Sequence, residues 1–170
     1  PGGGSAAAMA GAMAASLLAM VATMTKTKSN TPEERAALDA AAAELPQLKT
    51  QLTDLINRDA AAYDLVVAAY RHAKATDEEK AARKAAIQEA MRVATETPLE
   101  TMQACAALIR LQAVVAANGN TNAASDVYVA GLLAKAALEG ARSNVEINLP
   151  GLTDPAIASV QGDAADLELP

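Results

Sequence analysis

A chain with neither phenylalanine nor tryptophan, and only three tyrosines in 170 residues, must fill its interior with Ala, Leu, Val, Ile and Met. These side chains are short, and the alanines let backbones approach closely, which suits helix against helix better than sheet against sheet. At this length the chain fits one compact domain with a proper core. The expected fold class is all-α, a bundle of about five long helices forming a single domain over residues 1–170.

The opening stretch, PGGGSAAAMAGAMAASLLAMVATMT, carries no charge before Lys26. Its length suits a membrane span, but Ala, Gly, Ser and Thr dominate where a span is rich in Leu, Ile, Phe and Val. A secretory signal needs a basic region ahead of its apolar run, and only Pro-Gly-Gly-Gly-Ser stands there. The remaining reading is a central helix, apolar all round and buried. On it Ala8, Gly11, Ala15, Ala19 and Ala22 offer a side where another backbone can come close. The chain start does not resemble a natural N-terminus, and the expectation is a domain lacking an N-terminal helix and part of its C-terminus.

Helical signals fill the rest. Asn30 or Thr31 is a cap, Pro32 sits in a first turn, and Glu33 and Glu34 follow. Pro46 predicts a kink or short break, with a second arm to about Ala73. A charged surface helix begins at Thr76 or Asp77. Thr97 as cap, Pro98 and Glu100 in the first turn and Gly119 as stop predict another. Ala130, Ala134, Ala137 and Ala141 form a second close-packing stripe on the last long helix, and the tail after Leu149 has room for one short helix. No alternating strand pattern of useful length and no internal repeat occurs.

The chemistry is concentrated where polar groups break these patterns. Leu48, Leu52, Leu55, Asp59, Tyr63, Val66 and Tyr70 follow one another at three- and four-residue steps, so Asp59 interrupts an apolar stripe. A carboxylate there is tolerated in an ion pair, in a capping contact to a neighbouring helix, or where it has chemistry to perform. Asp64 points away from the stripe and reads as a solvated charge. Asn120, Asn122, Ser125 and Asp126 crowd the entry to the last long helix, where at least one is a cap and the group as a whole suits a polar heterocycle. The Gly2–Ser5 turn can surround an anion with backbone N–H groups, but it matches neither the phosphate-loop nor the dinucleotide fingerprint. His72 reads as an exposed residue. Arg71, Lys74 and Lys28 read as solubilising charges, with anion capture as the second reading.

With 14 Lys+Arg against 20 Asp+Glu the net charge is −6, which gives no footprint for nucleic acid or an anionic membrane. One cysteine, Cys105, and one histidine cannot build the usual zinc sites, so hydrolysis by this chain is expected to be metal-free.

Taken in order, PGGGSAAAMAGAM, DAAAYDLVVAAYRHAKATDEEKAARKAAIQEA, TPLE and GNTNAASDVYVAGLLAKAALEGARSNVEINL resemble the cyclodeaminase/cyclohydrolase domain of the formiminotransferase-cyclodeaminase family, from Pro1 to about Leu149. The resemblance implies an all-α homodimer acting on one-carbon derivatives of tetrahydrofolate, and the absence of a targeting signal, the unpaired cysteine and the folate pool lead to the expectation of a cytoplasmic location. It implies Asp59 as catalytic acid and base, since it matches the family's acidic position before the helix's aromatic residue. By analogy Asp126 contacts the pterin, Asn120, Asn122 and Ser125 shape that pocket, and Gly2, Gly3, Gly4 and Ser5 lie beside the substrate. Lys74 and Lys28 hold the glutamate tail. Two departures stand out. TMTKTKSN replaces most of the family's basic cluster with Thr23, Thr27, Lys28, Ser29 and Asn30, and Tyr128 occupies a position that is usually glycine. The expected activity is the cyclohydrolase, converting 5,10-methenyltetrahydrofolate and water to 10-formyltetrahydrofolate, because no formiminotransferase segment is visible to supply a formimino substrate. The alternatives are an ammonia-releasing formiminotetrahydrofolate cyclodeaminase and a catalytically altered, folate-binding or structural dimer.

Overall fold

A computed structural model describes residues 2–24 and 30–153. Four long helices, not five, account for the bundle: α1 (Gly3–Thr23), α2 (Pro32–Tyr70), α3 (Asp77–Asn118) and α4 (Ala124–Asn148). Single 3₁₀ turns at Thr121–Ala123 and Leu149–Gly151 bracket α4, and no strand occurs among the described residues. The expected tail helix and Lys28 lie mostly or wholly outside the described residues.

The difference in helix count comes from Pro98, and Pro46 ends no helix either. Pro46 lies inside α2 without ending it and is exposed. Pro98 lies inside α3, so Thr97 is a mid-helix residue and not a cap. A proline at 98 has no N–H to give the carbonyl four residues earlier, and that carbonyl, on Ala94, instead accepts from Asn148 Nδ2 of α4 at 2.8 Å. A side chain from another helix thus repairs the break, and α3 continues. The buried Thr95, Thr97 and Thr101 satisfy their hydroxyls on carbonyls one turn back in the same helix.

The other helix starts follow local rules. Thr31 accepts from Glu34 N at 3.2 Å while Glu34 Oε2 accepts from Thr31 N at 3.1 Å, and Thr76 with Glu79 repeats the same reciprocal pair. Asn30, the rival cap, donates from Nδ2 to the Asn118 carbonyl at 3.0 Å and so serves the end of α3.

Packing runs up, down, up, down. Ser5 meets Asp59 and Gly11 meets Leu52, so α2 is antiparallel to α1; Gly3 meets Asn144, so α4 is antiparallel too. Helix α3 runs parallel to α1, with Gly11 at Cys105 and Gly119 at Val21. Gly11 is required by this closeness, because a Cβ there would lie 3.0 Å from Cys105 Sγ and 3.1 Å from Leu52 Cδ2. Ala8, Ala15, Ala130, Ala134, Ala137 and Ala141 are fully buried, and Leu18, Leu45, Leu52, Leu55, Met102, Leu108 and Leu138 fill the space between them. Burial pushes the Cys105 thiol up to about 12, so it fills the core as an apolar group and is no nucleophile.

Helix α1 is not buried all round. It is long and apolar enough to cross a membrane, yet half of its apolar window is covered by the bundle, and the open side carries Met9, Met13 and Met20. The stripe on α2 also divides. Leu48, Leu52 and Leu55 are buried, whereas Tyr63 and Tyr70 are 68 % and 54 % exposed, because α2 and α3 run on beyond the start of α1 as a two-helix arm. Gln88 fastens the segment after α4 onto this arm by accepting from Thr153 N and donating to the Gly151 carbonyl.

The Asn148 repair makes a measurable prediction. Asn148→Ala leaves the Ala94 carbonyl without its donor and lowers stability in urea unfolding by about 1–2 kcal/mol. In a Pro98→Ala background the new amide takes over that carbonyl, and the loss shrinks to about 0.5 kcal/mol or less. Equal losses in both backgrounds would show that Asn148 stabilises by some other contact.

Candidate functional site

The first turn of α1 lacks a cap of its own. Gly2 stands at the N-cap with extended backbone and no side chain to accept from the amides that follow. Asp59 of α2 supplies the missing acceptor, with its Oδ2 2.7 Å from Ser5 N and 2.7 Å from Ser5 Oγ. The Ser5 hydroxyl also lies 3.1 Å from the Ile56 carbonyl, and its single proton serves one of these acceptors at a time. A carboxylate facing the positive end of a helix is electrostatically favoured, which is why a half-buried acid is tolerated in the apolar stripe. Of the readings the sequence left open for Asp59, the capping contact to a neighbouring helix is the one observed. It occupies only Oδ2; Oδ1 accepts no hydrogen bond from the described residues.

Gly4 makes the contact possible. A Cβ on Gly4 would collide with Asp59 Oδ1 and stand 2.7 Å from its Cγ. Gly3 is similar toward α4, where a Cβ would lie 3.1 Å from Asn144 Nδ2. The two glycines therefore let α2 and α4 close on the head of α1, one from each side.

A cleft of about 600 Å³ opens at this point, where α1 begins and the arm of α2 and α3 continues. Asp59, Tyr63, Asp64 and Val66 supply its α2 wall, Met91 and Ala94 its α3 wall, Asn144 and Asn148 its α4 wall, and Gly2 and Gly3 its head. Two carboxylates line it, and no lysine, arginine or histidine does among the described residues. The result is a partly apolar, electronegative cavity suited to a flat ring of positive charge.

Asp59, Gly2, Gly3, Gly4 and Ser5 thus come together as expected. The second expected group does not join them. Because α4 is antiparallel to α1, Asn120, Asn122, Ser125 and Asp126 lie at the far end of the bundle, roughly 30 Å away along the length of α1. There Asn120 Oδ1 accepts from Asn122 N at 2.9 Å and shapes the turn, Asn122 and Ser125 are exposed, and Asp126 is half-buried. Tyr128 stands 67 % exposed on the outside of α4, away from the Asp59 cleft. Lys74 is exposed beside a separate hollow of about 340 Å³ shared with Lys80, Arg83 and Lys84. Arg83 is fixed there by donating to the Tyr70 carbonyl and lying 5.4 Å over the Tyr70 ring. His72 is exposed, as expected.

Sequence reasoning missed Tyr63, Met91, Asn144 and Asn148 as cleft residues and set Asp64 aside, although it stands on the cleft wall. One signal for the asparagines was present. Two asparagines four apart inside a long helix, Asn144 and Asn148, are unfavourable for helix propensity and share a face, which marks that face as one with a polar role.

A family model described as formiminotransferase-cyclodeaminase matches residues 1–166. The methenyltetrahydrofolate cyclohydrolase of Methylorubrum extorquens is 46 % identical over 158 residues, covering 93 % of this chain and 76 % of that protein. The formimidoyltransferase-cyclodeaminase of Sus scrofa is 37 % identical over 106 residues, 62 % of this chain but 20 % of that much longer protein. Among solved structures, the formiminotetrahydrofolate cyclodeaminase of Thermotoga maritima superposes with a TM-score of 0.84 at 26 % identity, covering 98 % of this chain and 80 % of that one.

The contact between Gly4 and Asp59 is open to test. Gly4→Ala forces the carboxylate away from the head of α1 and costs about 1–3 kcal/mol in chemical denaturation. Combined with Asp59→Ala the same substitution costs much less, since the clashing group is gone. An equal cost in both backgrounds would mean that Gly4 is needed for a different contact.

Proposed function

Because this chain belongs to the formiminotransferase-cyclodeaminase family, we propose that it is a methenyltetrahydrofolate cyclohydrolase whose chemistry is centred on Asp59. The observation that carries this reading is the Asp59 carboxylate, held through Oδ2 on the α1 head in the wall of an electronegative cleft. The substrate's methenyl carbon lies between two nitrogens that share a positive charge. Asp59 and Asp64 offset that charge, with the greater effect in a site partly shielded from water.

Each step conserves atoms and charge. Water attacks the methenyl carbon as the Asp59 carboxylate takes one of its protons, giving a neutral tetrahedral carbon that bears a hydroxyl. That first proton passes to solvent. The hydroxyl then gives its proton to Asp59 and becomes the formyl carbonyl, while the carbon–N5 bond breaks and N5 takes the proton from Asp59. The products are neutral 10-formyltetrahydrofolate and one released proton. The chain's single cysteine and single histidine support a metal-free step. The same carboxylate would serve a cyclodeaminase, in which N10 attacks a formimino carbon and ammonia leaves, and the close fold likeness to the Thermotoga maritima protein favours that as the second reading.

The substrate's remaining contacts require more than one end of one chain. The Asp126 group can share a ligand with Asp59 only if a second copy supplies it. The exposed faces of the neighbouring antiparallel helices α1 and α4 carry Met9, Met13, Met20, Tyr128, Val129 and Leu132. A twofold axis across that face makes a homodimer in which the Asp126 end of one copy lies against the Asp59 end of the other. Asp126 of the partner subunit then reaches the pterin. Lys74 holds the glutamate tail: Met91 in the cleft, Ile87, and Lys84 in the basic hollow lie on one face of α3, so a ligand can pass from one to the other. Lys28 joins the same proposal. A cytoplasmic location belongs to it as well, supported by the unpaired thiol of Cys105.

Two experiments test this. Loss of the methenyl absorbance in the near ultraviolet, corrected for spontaneous hydrolysis, is accelerated by the protein, and Asp59→Asn lowers kcat by about 100-fold or more. No acceleration over buffer sinks the cyclohydrolase reading and turns attention to the formimino substrate. For the shared site, Asp59→Asn and Asp126→Asn proteins are each inactive alone, and mixing them with subunit exchange restores about a quarter of parental activity, since half the dimers then hold one intact site. No recovery despite demonstrated exchange would remove Asp126 from the site.

A further inference from the structure

The α4 wall of the cleft differs from the others in offering two fixed amides. Asn144 and Asn148 stand four residues apart on one face of α4. Asn144 Nδ2 donates to the Gly140 carbonyl at 2.7 Å, and Asn148 Nδ2 donates to the Ala94 carbonyl at 2.8 Å. A free surface asparagine can turn either end of its amide toward a ligand. Here two separate backbone carbonyls settle the choice, drawing each Nδ2 to the protein and leaving each Oδ1 without a hydrogen bond from the described residues. Neither oxygen is sealed away, since Asn30 Oδ1 is the one buried, unpaired side-chain oxygen among the described residues, and both asparagines line the cleft. The spacing of one helical turn puts the two side-chain origins about 5–6 Å apart. A ligand that satisfies both presents two N–H donors along one edge.

We propose that Asn144 and Asn148 read the N–H edge of the substrate's bicyclic ring, Asn144 the ring N8–H and Asn148 the 2-amino group beyond N1, and so select the reduced ring over the fully oxidised one. This rests on the folate reading of the same cleft. With the methenyl bridge at Asp59 on the α2 side, the N8 and 2-amino edge is the one that faces α4. In fully oxidised folic acid N8 has no hydrogen and turns a lone pair toward a fixed carbonyl oxygen, so an attraction becomes a repulsion. Dihydrofolate and tetrahydrofolate keep the N8–H. A site built to pair a donor rejects an analogue lacking it more strongly than an apolar pocket can.

Calorimetric titration with tetrahydrofolate, 7,8-dihydrofolate and folic acid tests the proposal, using Asn144 because Asn148 also supports α3. The parent protein binds both reduced folates at least about tenfold more tightly than folic acid. Asn144→Leu weakens the two reduced folates about tenfold, leaves folic acid unchanged or bound more tightly as the repulsion is relieved, and in turnover raises KM with kcat altered less than about twofold. Asn144→Asp, which retains an acceptor, keeps the preference for the reduced ring. Equal binding of all three by the parent overturns the proposal, and so does an Asn144→Leu protein that weakens all three alike, the mark of a merely structural side chain. A parent that hydrolyses methenyltetrahydrofolate yet shows no such preference removes this inference and leaves the cyclohydrolase reading standing. Failure to bind any folate removes both.

Discussion

The axial register of the bundle depends on one contact, the carboxylate of Asp59 on the uncapped head of α1. Apolar helix faces can slide past each other by a turn at modest cost, because one alanine replaces another in the seam. A carboxylate with two short partners on Ser5 cannot slide without losing both and leaving a half-buried charge. Gly4 admits the contact and Gly11 holds the same closeness two turns on, against Leu52 and Cys105. Once α1 and α2 are fixed in this register, the extra length of α2 and α3 must project beyond α1. The cleft is the space left under that projection.

This origin explains why charge is sorted along the groove. Residues near the head of α1 can be acidic because the helix's positive end stabilises them, and none of the cleft's described lining residues is basic. Farther along the arm, beyond the reach of that terminus, Lys74, Lys80, Arg83 and Lys84 gather around the outer hollow. A ligand with a cationic ring and an anionic tail has one favourable direction along such an arm. Screening by salt weakens the exposed basic end more than the recessed acidic one, so orientation depends on both ends while chemistry depends on the inner one.

Much of this was legible in the sequence because it is local. Helix starts at Asn30 or Thr31 and at Thr76 or Asp77, the small-residue stripes of α1 and α4, and the anomaly of Asp59 among Leu48, Leu52 and Leu55 depend on neighbours within two turns. What was not legible depends on partners far away in sequence. Pro98 reads as a helix start because nothing near it reveals that Asn148 will take the carbonyl it frees. Tyr63 and Tyr70 continue an apolar stripe in the sequence, and only the shorter length of α1 leaves them uncovered. The grouping of Asp126 with Asp59 was a family analogy, and antiparallel packing of α1 and α4 separates the two within one chain.

Asn148 joins these levels in one side chain. Its Nδ2 repairs the backbone that Pro98 interrupts, and the same hydrogen bond holds its amide in the cleft wall. Proline inside α3 therefore does more than interrupt a helix. It frees a carbonyl at Ala94 that holds an amide, and a held amide presents a defined acceptor where a mobile one would present either end. The usual cost of a mid-helix proline is converted into rigidity at the cleft wall. Replacing Pro98 would restore the regular helix bond, release Asn148, and blur the polarity of the wall while making the fold itself more ordinary.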